Sequence, residues 1–140
     1  MSVVQANLDV NAVRFMLRLL ALSPPLLQNF SFRAEEHLEA CPALRRHGAA
    51  VLKILGEAVA AGNQLDGSRA EKLAATGRRH LGKYKASPGD FEHVMEAVVW
   101  AVGDALGPYW TAELETAWRG GATKVMGAMG VFGAAAVAEH

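Results

Sequence analysis

Every long apolar stretch of this chain repeats at three and four residues, and none alternates at two. That periodicity predicts helices throughout and excludes a sheet of half-buried strands. Val13, Met16, Leu17, Leu20 and Ala21 share the first helical face. Leu44, His47, Gly48, Val51, Leu52, Leu55 and Val59 make the clearest stripe, with Arg45, Arg46, Lys53 and Glu57 off it. Leu73, Thr76, His80 and Leu81 fall on one side of a helix that starts near Ser68. Phe91, Val94, Met95, Val98, Val99, Val102 and Leu106 line a long face, and Leu114, Ala117, Trp118, Val125, Met126 and Met129 a last one.

The breaks between these stretches are as legible as the stretches. Ser23-Pro24-Pro25 stops the first helix, because proline lacks a donor and disfavours helix before it. Residues 26–32 read as turns, and residues 33–42 as an acidic, partly helical piece. Gly62-Asn63 ends the next helix, and residues 64–67 read as a loop. Ser87-Pro88-Gly89-Asp90 opens another with a capping serine, a proline at the first helical position and an acid three residues after the cap. Gly107-Pro108 breaks the chain again, and Thr111 can cap the last helix. The predicted class is all-α.

With 140 residues, 51% of them hydrophobic and 20% charged, the chain can bury a sizeable core, and residues 1–140 are expected to form one domain. Fourteen Lys and Arg balance fourteen Asp and Glu, which argues against general nucleic-acid binding and against electrostatic attachment to anionic membranes. Residues 1–10 carry no secretory pattern, and residues 127–138 are too few and too rich in Gly and Ala to span a bilayer. A cytoplasmic location with no membrane span is the expectation. The single cysteine, Cys41, excludes an intrachain disulfide and any multi-cysteine zinc or iron–sulfur site.

The chemistry rests on histidine. Of His37, His47, His80, His93 and His140, only His47 and His80 fall on inward faces, and they do so on successive helices. Buried imidazoles need partners, and two around one cavity can hold a metal or a haem. Zinc would require three or four ligands at suitable spacing, and there is no HExxH, no CxxC and no third clustered ligand. A haem asks for less, because the macrocycle brings four nitrogens and the protein adds an axial histidine and an apolar slot. The absence of CxxCH excludes covalent attachment. His37 and His93 are expected to be solvated, and no Ser–His–Asp set, Walker loop or dinucleotide fingerprint is present.

Four ordered pieces give a family resemblance. Phe15-Met16-Leu17-Arg18-Leu19-Leu20, Ser23-Pro24 and Phe30 come first, then Arg46-His47-Gly48 with Val51-Leu52 and Leu55-Gly56. Gly77-Arg78-Arg79-His80 with Tyr84, Pro88 and Phe91 comes third, and Leu106-Gly107, Trp110-Thr111, Glu113 and Ala117-Trp118 complete the set. In this order and spacing, from about residue 13 to 129, the chain resembles the globin family, and most closely the single-domain globins of bacteria and the neuroglobin-like group. The resemblance implies helices packed around a haem, a three-over-three helical sandwich, with the usual first helix short or missing and an Ala/Gly-rich tail at 130–140.

By that resemblance His80 is the proximal iron ligand and His47 the distal histidine. His47 then either donates a hydrogen bond to a bound gas or ligates iron itself, and the sequence leaves both open. Phe30 packs on the haem, Val51 crowds the sixth position, and Met16 points into the distal pocket. Many bacterial relatives carry a tyrosine at that last position; methionine cannot donate a hydrogen bond, which weakens an expectation of very tight oxygen binding. Tyr84, Phe91 and Val94 line the proximal and rear walls, and Ala86 stands where relatives carry a larger aliphatic residue. Arg78 and Arg79 are candidates to pair with haem propionates, and Trp100, Trp110 and Trp118 are read as core and junction residues.

Three functions are compatible with this reading. The first is a haem b protein that reversibly binds oxygen or another diatomic gas. The second is a redox globin, a nitric-oxide dioxygenase or nitrite reductase served by a separate reductase. The third is a sensor or interaction module, in which the missing first helix marks a docking surface and a homodimer is one arrangement.

Overall fold

The computed structural model describes residues 7–62, 67–81 and 88–128, with side chains described throughout except at 77–81, 88–91 and 126. Five α-helices succeed one another: α1 (Leu8–Leu22), α2 (Pro42–Ala61), α3 (Gly67–Leu81), α4 (Pro88–Leu106) and α5 (Ala112–Ala128). Short 3-10 turns at Pro24–Asn29, Leu38–Ala40 and Gly107–Tyr109 join them, and no strand occurs among the described residues.

The breakers act where the sequence puts them. α1 ends at Leu22, and the Ser23 amide donates to the Leu19 carbonyl before Pro24 turns the chain. Pro42 sits in the first turn of α2, after the buried Cys41. Gly62 ends α2 at φ +53° and ψ −124°, a positive-φ conformation that costs glycine little and residues with a Cβ more. The Thr111 hydroxyl accepts the Leu114 amide at 3.1 Å, capping α5, and Glu113 and Glu115 lie in its first turn, where the helix dipole favours acids. The acidic piece before α2 is partly helical, as expected, through the 3-10 turn at Leu38–Ala40.

α2 packs on α1, α3 and α5; α4 packs on α1 and α5; α3 also reaches α5. α2 and α3 therefore lie across α1, α4 and α5, the two-over-three part of the expected sandwich. Trp118, Phe15, Met16, Leu44, Leu52 and Val98 are among the fully buried side chains between the layers.

Three expectations change. The buried face of α1 is Asn11, Ala12, Phe15, Met16, Leu19 and Leu20, while Leu17 and Ala21 are exposed. The run from Phe15 to Leu22 is apolar on nearly every side except Arg18, so periodicity alone admits more than one stripe there. Trp100 is a surface residue, with the guanidinium groups of Arg14 and Arg18 stacked 5.0 and 5.1 Å from its ring centroid. Arg14 also pairs with Asp104, tying α1 to α4. His93, expected in solvent, is part-buried, and its Nδ1 is enclosed without a hydrogen-bond partner.

Between α2 and α5 a groove of about 250 Å³ opens to solvent, lined by Ala58, Val59, Ala117, Gly120, Gly121 and Lys124.

Candidate functional site

His47 lies in the second turn of α2, on the face that runs from Leu44 through Gly48 to Leu55. It is part-buried, and burial pushes its pKa down to about 4. At neutral pH the imidazole is therefore uncharged, the form that can donate one N–H and offer one lone pair. The Phe30 ring meets it edge-on, with centroids 4.9 Å apart and planes at 76°.

Phe30 is buried and held from two directions. Its amide donates to the Leu27 carbonyl at the end of a 3-10 turn, and its carbonyl accepts both the Arg33 amide and Arg33 Nη1 at 3.3 Å. The Phe32 ring stacks on it at 4.9 Å with planes 10° apart. Phe32 was not singled out from the sequence; its ring reaches Phe30 because residues 31–34 turn, with the Arg33 amide donating to the Phe30 carbonyl, and no local pattern announces that turn.

Phe30, Met16 and Val94 belong to one contiguous apolar cluster, and Val51, a turn beyond His47, packs partly buried at its edge. Met16 is fully buried on α1 and lies against α2 at Gly48. Val94 is fully buried on α4. His80 falls within α3 and Phe91 within α4, but their side chains, like the whole of Tyr84 and Ala86, lie outside the described residues. The same holds for the side chains of Arg78 and Arg79. Around His47 the structure thus brings together Phe30 and, across the helix crossing, Met16. Of the proximal and rear walls of the expected site, only the Val94 side chain falls among the described residues.

The donor chemistry discriminates between metal sites. Among the described residues no three His, Cys, Asp or Glu side chains gather into a cage. A bare divalent ion asks for such a cage, whereas a haem asks for an apolar slot and a neutral imidazole. His47, uncharged beside a buried aromatic pair and continuous with an apolar cluster, fits the second requirement.

Comparison with known proteins agrees with this chemistry. Leghemoglobin-1 of Lupinus luteus is 32% identical over 117 residues, covering 81% of this chain and 75% of that protein. The Globin family model matches residues 13–129. That match runs from within α1 to the end of α5 and takes in His47 and His80 alike, so the chain belongs to the globin family, whose members bind haem and, through it, small gases.

Proposed function

We propose that this chain reversibly binds oxygen or another diatomic gas at a non-covalently held haem b, with His80 as proximal iron ligand and His47 on the distal side. When bound, the haem supplies the ferrous iron at which a gas can sit. The observation that carries the reading is the His47 imidazole, kept neutral by burial at the edge of the Phe30 ring. A neutral imidazole has an N–H to donate to a polarised gas, and in a dry pocket that hydrogen bond is stronger than in water. It can equally offer its lone pair to iron when no gas is present. The lupin relative is by name a haemoglobin, which supports haem here.

The remaining residues shape the slot. Phe30, stiffened by Phe32 behind it, packs on the haem; Val51 crowds the gas position; Met16 adds apolar bulk and no donor. Tyr84, Phe91 and Val94 form the proximal and rear walls. The unit is one globin domain over residues 1–140, with its core at 13–129, and its place is the cytoplasm. Among the described residues no helix is long and apolar enough to cross a membrane.

Visible absorption spectra of the haem-reconstituted protein, ferric, ferrous and under oxygen and carbon monoxide, test this reading. Stoichiometric haem with reversible oxygen and carbon monoxide bands is expected. A five-coordinate deoxy spectrum favours gas storage or delivery, and a low-spin bis-histidine one favours redox or sensing work. Failure to take up haem defeats the proposal. His80→Ala is expected to abolish stable haem binding, and unchanged histidine ligation in that variant overturns the proximal assignment. His47→Leu is expected to keep the haem and speed oxygen loss; an unchanged dissociation rate removes His47 from the gas.

A further inference from the structure

The closeness of α1 to α2 depends on one missing methyl group. A Cβ placed on Gly48 would stand 2.7 Å from the Ala12 carbonyl oxygen, 3.2 Å from the Ala12 carbonyl carbon and 2.8 Å from Met16 Cγ. Carbon atoms in good contact lie about 3.5–4.0 Å apart, so none of these approaches survives a side chain at position 48. Two of the three atoms belong to the α1 backbone and cannot swing aside. Ala12 and Met16 are one turn apart on α1, and both are fully buried. The crossing also falls at a particular place on α2: Gly48 directly succeeds His47, and Val51 lies three residues further on.

We infer that Gly48 is a positioning residue for the gas site: by letting α1 close onto α2 it seats Met16 against the turn that carries His47, and so sets how tightly that side of the site is walled. The inference rests on the proposed haem function. Met16 has no hydrogen-bond donor, so its effect is steric. An alanine at 48 must push α1 outward, because a packed interior moves its elements apart rather than compressing. Met16 is carried on α1 and moves with it, and the wall loosens.

A double-substitution cycle on the haem-loaded protein tests this, read by carbon monoxide rebinding after photolysis. Gly48→Ala and Met16→Ala are each expected to speed association several-fold. In the Met16→Ala background, Gly48→Ala is expected to add almost nothing to the rate, while its loss of thermal stability persists, because the clash with the Ala12 carbonyl remains. Equal rate effects with and without Met16, or none, overturn the inference. If Gly48→Ala does not fold, Met16→Ala alone still decides, since an unchanged association rate removes Met16 from the wall. A second readout needs no haem. In haem-free protein labelled at its methionine methyl groups, the Met16 resonance, identified by its disappearance in Met16→Ala, is expected to move in Gly48→Ala. An unmoved resonance overturns the seating of Met16 by Gly48. A chain that takes up no haem but shows the moved resonance defeats the haem reading and leaves the helix crossing intact.

Discussion

His47 is a base that the fold holds away from its proton, and the cost has a sign. Its pKa falls from an ordinary 6.5 to about 4 on burial. Below pH 6.5 the unfolded chain takes up a proton that the folded chain refuses until about pH 4. The contribution is thus fully present above pH 6.5 and is lost as pH falls toward 4, to the extent of about 3 kcal/mol. Urea unfolding of the haem-free protein between pH 7.5 and 4, set against His47→Leu, should show wild type losing more stability on acidification than the variant. Parallel curves would mean that His47 is solvated. Phe30→Ala should cost about 3 kcal/mol in the same assay, since it empties a buried site and strips Phe32 of its stacking partner. At this scale the site was half legible. His47 stood out because a polar ring on an apolar stripe is unusual in itself, whereas Phe30 was marked only by the family resemblance. His93 was misread because α4 is covered by both α1 and α5. Its buried arc, holding Val94, Met95, Ala97, Val98, Ala101 and Val102, is wider than a single stripe, and His93 stands at its rim.

Helix boundaries were the most legible part of the sequence, because each is set by the local chemistry of a few residues. Two of them yield sharp expectations. Thr111→Ala should destabilise by about 1 kcal/mol, the worth of a side-chain cap on an otherwise unsatisfied amide. Gly62→Ala should destabilise by about 1–3 kcal/mol through backbone strain, since among the described residues a Cβ there meets no atom within 4 Å. Equilibrium denaturation of both variants checks these values, and a neutral Gly62→Ala would mean that the C-terminus of α2 relaxes out of its positive-φ conformation. Faces were less legible than ends. The inward side of α1 is decided by where α2 and α4 lie, which no pattern confined to residues 8–22 contains. Likewise, nothing local says that Gly48 meets Ala12 rather than solvent.

Across the whole molecule, cohesion comes from apolar burial and little from charge. The formal charge is zero, and the ion pairs of Arg14 with Asp104 and of Arg119 with Glu115 and Glu96 all lie near the surface. Arg119→Ala should therefore change stability by less than about 1 kcal/mol, whereas Trp118→Ala should cost about 3–5 kcal/mol. Trp118→Phe should cost less than Trp118→Ala, because phenylalanine keeps most of the buried aromatic bulk and the enclosed Nε1 it gives up has no partner to lose. Guanidinium and thermal unfolding measure both comparisons, and a large loss in Arg119→Ala would show the α4–α5 contact to be electrostatic. The fold class was readable from periodicity, whereas the layering, with α2 against three other helices, depends on contacts between distant segments. The single thiol turns this architecture into a clock. Cys41, 8% exposed, joins the segment bearing Phe30 to the helix bearing His47. A thiol reagent reaches it only when that junction parts, so the labelling rate counts openings. A rate that rises with urea as steeply as global unfolding would mean that the two halves of the pocket come apart only when the molecule does. A rate indifferent to urea would mean that they breathe, and that a gas can enter through the gap.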